Sequence, residues 1–215
     1  YGLINNNSDN IHGAARLVST ILIGTLRNEG TFQQLGGSVN TRLTYLQQAG
    51  GVFRQTSNHS VYVTDSVVLS GGTLETTDPL TIGARNGLFS VGVSFNLAGG
   101  SLSQTGLLTQ KAGQVSVTKG SYAFETVNKE NGSLSNTATL SITNFNQSNG
   151  SSSNSGNLSI GNANLYGALV NTGTLTLTGN VTSRGNLTNS GNLNNRGNWT
   201  ETNRFTIAGN LNNSG

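Results

Sequence analysis

Residues 185–190 read Gly-Asn-Leu-Thr-Asn-Ser, and residues 191–196 directly after them read Gly-Asn-Leu-Asn-Asn-Arg. The shared unit, Gly-Asn-Leu followed by three variable residues, recurs with variations over residues 158–215. A period of six is not the 3.6-residue period of a helix, but it accommodates a short strand followed by a turn. Glycine at every sixth position would also cost a helix about 1 kcal/mol each time. The repeat therefore predicts a series of short strands.

Two sets of positions carry this repeat. Glycine tolerates positive φ, and the glycines on the six-residue grid are therefore the predicted turn residues: Gly173, Gly179, Gly185, Gly191, Gly197 and Gly209. Apolar residues two positions later are predicted to form the stacked core: Leu175, Val181, Leu187, Leu193, Trp199, Phe205 and Leu211. Their register makes Trp199 and Phe205 core residues in this interpretation, rather than an exposed platform for stacking on sugars.

A longer unit of about seven residues per face is predicted for residues 29–143. Segments 32–39, 46–53, 67–74 and 95–102 match one another around a Gly-Gly pair, and successive segments are offset by two, three and four such units. Three faces would give coils of roughly 21 residues here and roughly 18 residues in the C-terminal repeats. One coil cannot bury its own apolar residues, so the coils must stack, with Leu on Leu and Asn on Asn. The predicted fold is all-β: a parallel β-helix, or β-solenoid, with three faces per coil.

Two segments depart from these repeats. Residues 1–28 are less regular, and the pattern leaves open whether they form an irregular N-terminal segment or a cap, with a short cap or a helix around His12 to Val18 as alternatives. Residues 144–157 are rich in Ser, Asn and Gly, which is typical of a linker or a polar loop. The loop is favoured, because Leu158 and Ile160 resume the alternation of a strand directly afterwards.

Composition narrows the possible partners. Only 9% of the 215 residues are charged, against about a quarter in an average domain. The absence of Cys excludes disulfides and Cys-based zinc sites. The 11 basic residues are scattered, whereas phosphate binding needs them clustered. No stretch reaches the roughly 18 apolar residues of a membrane span. We therefore expect no nucleic acid partner, no membrane span and no cofactor.

Residues 185–199, Gly-Asn-Leu-Thr-Asn-Ser-Gly-Asn-Leu-Asn-Asn-Arg-Gly-Asn-Trp, carry a family resemblance. They resemble the repeats of filamentous-haemagglutinin-like exoproteins of two-partner secretion and, more loosely, autotransporter passenger domains. The resemblance implies a right-handed parallel β-helix, export from a Gram-negative bacterium to the medium or the cell surface, and adhesion to glycans or proteins of host or neighbouring cells. The Asn-Pro-Asn motifs of the family's secretion domain are absent, so the resemblance concerns a shaft and not a secretion signal.

Few side chains could carry catalysis. The chain has two His and eight Asp and Glu residues, without zinc-binding or nucleophile motifs. The Gly-Gly pairs also lack the following Asp of calcium-binding repeats. The best enzyme case is a polysaccharide-degrading β-helix using Asp65, Asp78 and Arg85, but exposed surface charges explain these residues better. His59 is predicted to be a loop residue. We expect no enzyme, no catalytic residue and no metal site.

The leading hypothesis is a non-catalytic extracellular shaft of a bacterial adhesin or surface exoprotein. An alternative is a filament subunit that binds further copies of itself end to end, because the chain ends within a repeat and open solenoid ends normally need a cap. An ice-binding solenoid would need a regular Thr-x-Thr array, which only Thr174 to Thr178 suggests. If exposed, some of Tyr45, Tyr62, Tyr122 and Tyr166 could stack on glycans.

Overall fold

The computed structural model describes residues 8–11, 14–17, 22–34, 41–55, 60–76, 80–85, 89–103 and 106–215. Every regular element in these ranges is a β-strand, and parallel pairing builds a β-solenoid of about nine turns, which confirms the predicted fold class. No helix long and apolar enough to cross a membrane occurs in this part of the chain. The chain divides into two compact units, residues 1–105 and residues 106–215. The right-handed coil implied by the resemblance stays a prediction.

The strands of unit 1 are β1 (Ser8–Ile11), β2 (Ala14–Leu17), β3 (Leu22–Asn28), β4 (Thr31–Gln34), β5 (Thr41–Gln48), β6 (Val52–Gln55), β7 (Val61–Leu69), β8 (Thr73–Thr76), β9 (Leu80–Ile82), β10 (Phe89–Val91), β11 (Ser94–Ala98) and β12 (Ser101–Ser103).

The strands of unit 2 are β13 (Leu107–Gln110), β14 (Gln114–Lys119), β15 (Ser121–Lys129), β16 (Ser133–Asn136), β17 (Thr139–Gln147), β18 (Ser151–Asn154), β19 (Asn157–Leu165), β20 (Ala168–Asn171), β21 (Thr174–Leu177), β22 (Val181–Ser183), β23 (Leu187–Asn189), β24 (Asn192–Asn195), β25 (Trp199–Glu201), β26 (Phe205–Ile207) and β27 (Asn210–Asn213).

The coil length in unit 1 follows the stacking of its buried aromatic and aliphatic residues. Phe32 pairs with Phe53, three of the seven-residue units later, and the two rings stack at 4.6 Å between centroids. Leu46, however, pairs with Leu26 and Val67. The offset of two units between segments 32–39 and 46–53 therefore relates two different faces of the coil and is not a stacking register. Two units cover two of the three faces, and only a complete coil returns the chain to the same face.

The last coil of unit 1 is longer because it contains an additional strand. Phe89 of β10 pairs on one side with Val61 of β7 and on the other with Leu80 of β9. Strand β10 thus lies between β7 and β9, although β9 precedes it in the chain. This excursion extends the coil from three units to four, since Val67 pairs with Phe95.

The N-terminal region joins the solenoid earlier than predicted. Strand β1 pairs with β3, with Ser8 on Thr25, and β2 pairs with β4, with Ala14 on Thr31. Strands β1 and β2 therefore pair with the following coil, and the helix considered for this segment is wrong at Ala14–Leu17. Long-range strand pairing overrides the weak local pattern here. His12 and Val18 lie outside the described residues.

Three columns of strands form three faces in unit 2. Face 1 consists of residues 121–124, 139–142 and 157–160, followed by β21, β24 and β27. Face 2 consists of β13, residues 126–129, 144–147 and 162–165, then β22 and β25. Face 3 consists of β14, β16, β18, β20, β23 and β26. Strands β15, β17 and β19 each contribute to both face 1 and face 2.

The change from long to short coils occurs earlier than predicted. Val115 pairs with Leu134, whereas Ser121 pairs with Thr139, so the coil that starts at Ser121 is already one residue shorter than the coil that starts at Val115. The seven-residue unit assigned to residues 29–143 is therefore wrong from Ser121 onward. Gly106, Gly113 and Gly120 continue the seven-residue grid. The corners after Gly120 are shorter, and the spacing of the glycines alone did not reveal this change.

The loop predicted for residues 144–157 is wrong, because this segment completes β17, forms β18 and begins β19. Three of its polar side chains, Gln147, Ser152 and Asn154, point inward and are paired: the Ser152 hydroxyl donates to Gln147 Oε1 at 2.7 Å, and Asn154 is 1% exposed. Ser and Asn normally favour loops because water satisfies them there. In stacked coils, equivalent polar groups above and below replace the water.

The predicted core stack is divided among the three faces. Leu175, Leu193 and Leu211 stack on face 1, Val181 and Trp199 on face 2, and Leu187 and Phe205 on face 3. Leu175, Val181, Leu187 and Leu193 are buried, whereas Trp199 and Phe205 are half-buried and pack edge to face at 4.5 Å. Leu211 is 43% exposed, contrary to the predicted burial, because the only pairing described for β27 is with β24.

The six predicted turn glycines lie at bends between strands, but the reason given for glycine there is wrong. None of them has positive φ. Instead, the backbone of the preceding coil leaves no room for a side chain. A Cβ on Gly191 would lie 2.1 Å from the carbonyl oxygen of Gly173, and one on Gly209 would lie 2.1 Å from that of Gly191. Close backbone stacking therefore requires glycine at these corners.

We expect Gly191→Ala to lower the free energy of unfolding by about 2 kcal/mol, because the added methyl must displace stacked backbone. Urea unfolding followed by circular dichroism measures the change. Ser190→Ala is the matched control, since Ser190 is the exposed neighbour at the same corner. Equal stability of the two variants would contradict the close approach.

Candidate binding surface

The outward surface of unit 2 has a long uncharged region. Residues 131–183 contain no Asp, Glu, Lys, Arg or His. This segment forms about three consecutive coils, and Ser, Thr and Asn supply most of their outward side chains. Any ligand of this region must be recognised by hydrogen bonding and shape, because ionic attraction has no partner there.

Two rows of polar side chains run along the outside of face 2, and we call them the amide face. One row is Thr126, Asn144, Asn162, Asn180 and Asn198, and the other is Asn128, Asn146, Asn164, Thr182 and Thr200. Strand alternation points both rows outward, since Phe145 and Ala163 between them point inward. The pairing of successive coils then places each Asn over the equivalent residue of the next coil.

Hydrogen bonds connect neighbouring amides within each row. Asn146 Nδ2 donates to Asn128 Oδ1 at 3.0 Å, and Asn164 Nδ2 donates to Asn146 Oδ1 at 3.3 Å. In the other row, Asn162 Nδ2 donates to Asn144 Oδ1 at 3.3 Å, and Asn198 Nδ2 donates to Asn180 Oδ1 at 3.0 Å. These bonds hold the amide groups in a fixed orientation.

The amide face is concave. A groove of about 570 Å³ lies on it, lined by Thr126, Asn144, Asn146, Asn162, Ala163, Asn164, Asn180 and Thr182. A primary amide offers two N–H donors and two acceptor lone pairs. Asn162 uses one donor on Asn144 and one lone pair on the backbone N–H of Asn180. One donor and one lone pair of Asn162 therefore remain for a ligand.

An exposed tyrosine lies at the rim of this face. Tyr166 follows Asn162 and Asn164 in the outward alternation of the same chain segment and is 52% exposed. The guanidinium of Arg184, one coil later, lies over its ring at 5.1 Å and donates to its hydroxyl. The other tyrosines in the described ranges differ: Tyr122 is buried in the core, Tyr45 is half-buried, and Tyr62 is half-buried beneath Arg85 at 5.4 Å.

The interior of face 3 contains a second, buried ladder of asparagines. Asn136, Asn154, Asn171 and Asn189 lie one above another, each no more than 1% exposed. Each Nδ2 donates to the Oδ1 of the next, at 2.7, 2.7 and 2.6 Å. The same nitrogens also bind backbone carbonyls at the corner, such as Gly156 and Thr174 for Asn154. This ladder stabilises the coil that presents the amide face.

One charged side chain is buried in the same unit. Lys129 is 1% exposed and stacks between Gln110 and Gln147 on the inner side of face 2. Its Nζ donates to the backbone carbonyl of Asn149 at 2.8 Å. Burial lowers the pKa of Lys129 from 10.5 to about 8, because the charged form loses its hydration.

The residues proposed for catalysis are only partly described. Asp65 and Arg85 are exposed, and the Arg85 guanidinium lies over Tyr62. Asp78 and His59 lie outside the described residues. Within the described ranges, no group of three or more His, Cys, Asp or Glu residues is placed to hold a metal ion. Of the threonines in 174–178, Thr174 and Thr176 line a depression on face 1.

Both the amide face and the buried lysine were missed from the sequence. The pair Asn144 and Asn146 recurs as Asn162 and Asn164 one coil later. This repeat indicates equivalent positions in successive coils. Asn144 and Asn146 lie within the segment interpreted as a loop, and Asn162 and Asn164 lie shortly after it. Lys129 stacks between Gln110 and Gln147. The sequence separation from Gln110 to Lys129 is one residue longer than that from Lys129 to Gln147. A constant repeat length therefore does not identify both neighbours, and the length of each coil must be known.

Comparisons with known proteins add no relatives: no family model matches the chain, and no curated protein or solved structure is significantly similar to it. The resemblance of residues 185–199 to haemagglutinin-like repeats therefore stays a hypothesis from the motif, while the β-helix repeat architecture itself is shown.

Proposed function

We propose that the chain is a non-catalytic shaft of an extracellular bacterial adhesin or surface exoprotein. The observation that carries this proposal is the unbroken stacking of unit 2, where six strands succeed one another on face 1 between Ser121 and Asn213. Five intervals of about 4.8 Å separate the first strand from the last by about 24 Å. Each coil adds length, which is what a shaft requires.

The interior chemistry supports a mechanical role. The buried asparagines 136, 154, 171 and 189 bond along the stacking direction, parallel to the backbone ladder. Such amide ladders give stacked β-structure high kinetic stability. The uncharged exterior of residues 131–183 and the repeat motif favour an exported protein over an enzyme with titratable catalytic groups.

A distance measurement tests the shaft. The chain is attached by its C-terminus to a lipid bilayer that contains acceptor dye, and a single cysteine that replaces the exposed Ser121 of unit 2 carries a donor dye. Deleting residues 139–173 removes two complete coils and joins the chain in register. The deletion should bring the donor about 10 Å closer to the bilayer and raise energy transfer, while circular dichroism shows an intact β-structure.

Three results would count against the proposal. Unchanged energy transfer in the folded deletion variant would mean that the coils do not provide length. Release of reducing ends from polysaccharides by the purified chain would contradict the non-catalytic assignment. Unbranched fibres that grow with concentration would favour the end-to-end filament.

A further inference from the structure

We propose that the amide face is a binding site for a single chain of a neutral polysaccharide. The inference deepens the proposed function, since it rests on an extracellular location where such polymers occur. It assigns recognition to the side of the solenoid and to specific residues, chiefly Asn146, Asn162 and Asn164. Three features of the face carry it: its hydrogen-bonding groups, its lack of charge and its dimensions.

The hydrogen-bonding groups of the face match those of sugars. A hydroxyl group both donates and accepts, and so does a primary amide. Asn162 keeps one donor and one lone pair after its bonds to Asn144 and Asn180. Asn164 donates to Asn146, and Asn146 donates to Asn128, which fixes each amide before a ligand arrives. Preorganised groups bind with a smaller loss of conformational entropy.

The charge distribution selects a neutral ligand. No lining residue of the groove is charged; exposed Glu125 precedes its first lining residue, Thr126, and exposed Arg184 comes two residues after its last, Thr182. An anionic polysaccharide, a phospholipid headgroup or a nucleic acid would find no cluster of cations along the amide rows and would still lose hydration. A neutral polyol exchanges its water hydrogen bonds for amide hydrogen bonds without that cost.

The dimensions select one extended chain. The two rows are two residues apart along each strand, a separation of about 6.6 Å. Thr126 and Asn180 mark three coil intervals, or about 14 Å along the groove. A groove of this width admits one chain of sugar rings, and its length accommodates a few of them.

Affinity electrophoresis tests the site. The chain is run in native gels that contain a neutral galactomannan, a neutral β-glucan or heparin. We expect at least one neutral polymer to retard the wild-type chain, and heparin to retard it less. The variant Asn162→Asp/Asn164→Asp places two charges in the groove and should bind at least about tenfold more weakly.

The matched control is Asn192→Asp/Asn194→Asp, which makes the same change two residues apart on face 1 and gives the same net charge. It should bind as the wild type does. If the groove variant does not fold, the single exposed substitution Asn146→Ala decides, because it removes one amide and adds no charge; unchanged affinity would overturn the site.

Other results would also overturn it: no retardation by either neutral polymer, stronger retardation by heparin, or equal losses in the groove and control variants. Dimers that form in wild type but not in Asn162→Asp/Asn164→Asp, without polysaccharide binding, would identify a second copy as the occupant. A chain that passes the distance measurement but binds no neutral polymer keeps the shaft and loses this site.

Discussion

Asn154→Ala is expected to lower the free energy of unfolding by about 4 kcal/mol. Asn154 Nδ2 donates to Asn171 Oδ1 at 2.7 Å and to the carbonyls of Gly156 and Thr174 at 3.1 and 2.9 Å. Alanine removes both N–H groups of this amide, which the three acceptors share, in a place that water cannot reach; the Gly156 carbonyl keeps only its bond from the Thr174 backbone N–H. The substitution also takes the acceptor from Asn136, which donates to Asn154 at 2.7 Å.

The urea midpoint of unfolding measures the effect. Ser153→Ala is the control, because Ser153 is the exposed neighbour on the same strand and its loss should change stability by less than about 0.5 kcal/mol. Similar midpoints for Asn154→Ala and Ser153→Ala would show that the buried ladder does not stabilise unit 2.

Lys129→Gln is expected to stabilise the chain by about 3 kcal/mol at neutral pH, because it removes a buried cation whose pKa is lowered from 10.5 to about 8. Glutamine already occupies the neighbouring positions of this column. Gln110 Nε2 donates to the carbonyls of Gly113 and Ser133, and Gln147 Nε2 donates to those of Gly150 and Ala168. The equivalent carbonyls for a glutamine at 129 belong to Gly132 and Ser151.

The pH dependence has a definite sign. Below pH 8, Lys129 is charged in both the folded and the unfolded state, and its full burial cost is present. Between about pH 8 and 10.5, the unfolded chain holds this proton and the folded chain has lost it, so wild-type stability rises with pH. The advantage of Lys129→Gln should therefore shrink across this window.

Urea unfolding at pH 7 and at pH 10 measures the difference between the two proteins. Lys119→Gln serves as the control, because Lys119 is exposed on β14 and its replacement should have little effect at either pH. A constant difference between wild type and Lys129→Gln over this range would mean that Lys129 does not titrate within the core.

Much of the fold could be predicted from local spacing. The stacking of segments 46–53, 67–74 and 95–102 follows the predicted offsets of three and four units, with Leu46 on Val67 and Val67 on Phe95. These predictions worked because a coil that stacks on itself must repeat its apolar residues at the length of a full turn. The offset of two units matches two different faces of the coil and therefore does not bring its residues into a stack.

The candidate site could not be predicted in the same way. Composition assigned residues 144–157 to a loop, although Ser152 and Asn154 are buried there. Whether a polar residue signals a loop or a ladder depends on what lies one coil above and below it. That neighbour is known only when the register between coils is known.

The sequence by itself determined the repeating strand-and-turn unit and the all-β solenoid, because periodic glycine and leucine exclude a helix and a single coil cannot bury its core. Only the tertiary structure decided which amides face inward at Asn154 and outward at Asn162, where Lys129 is buried, and why Gly191 must be glycine. Each of these depends on corner lengths and on the coil stacked beneath, and a shift of one residue in register would exchange the inner and outer faces.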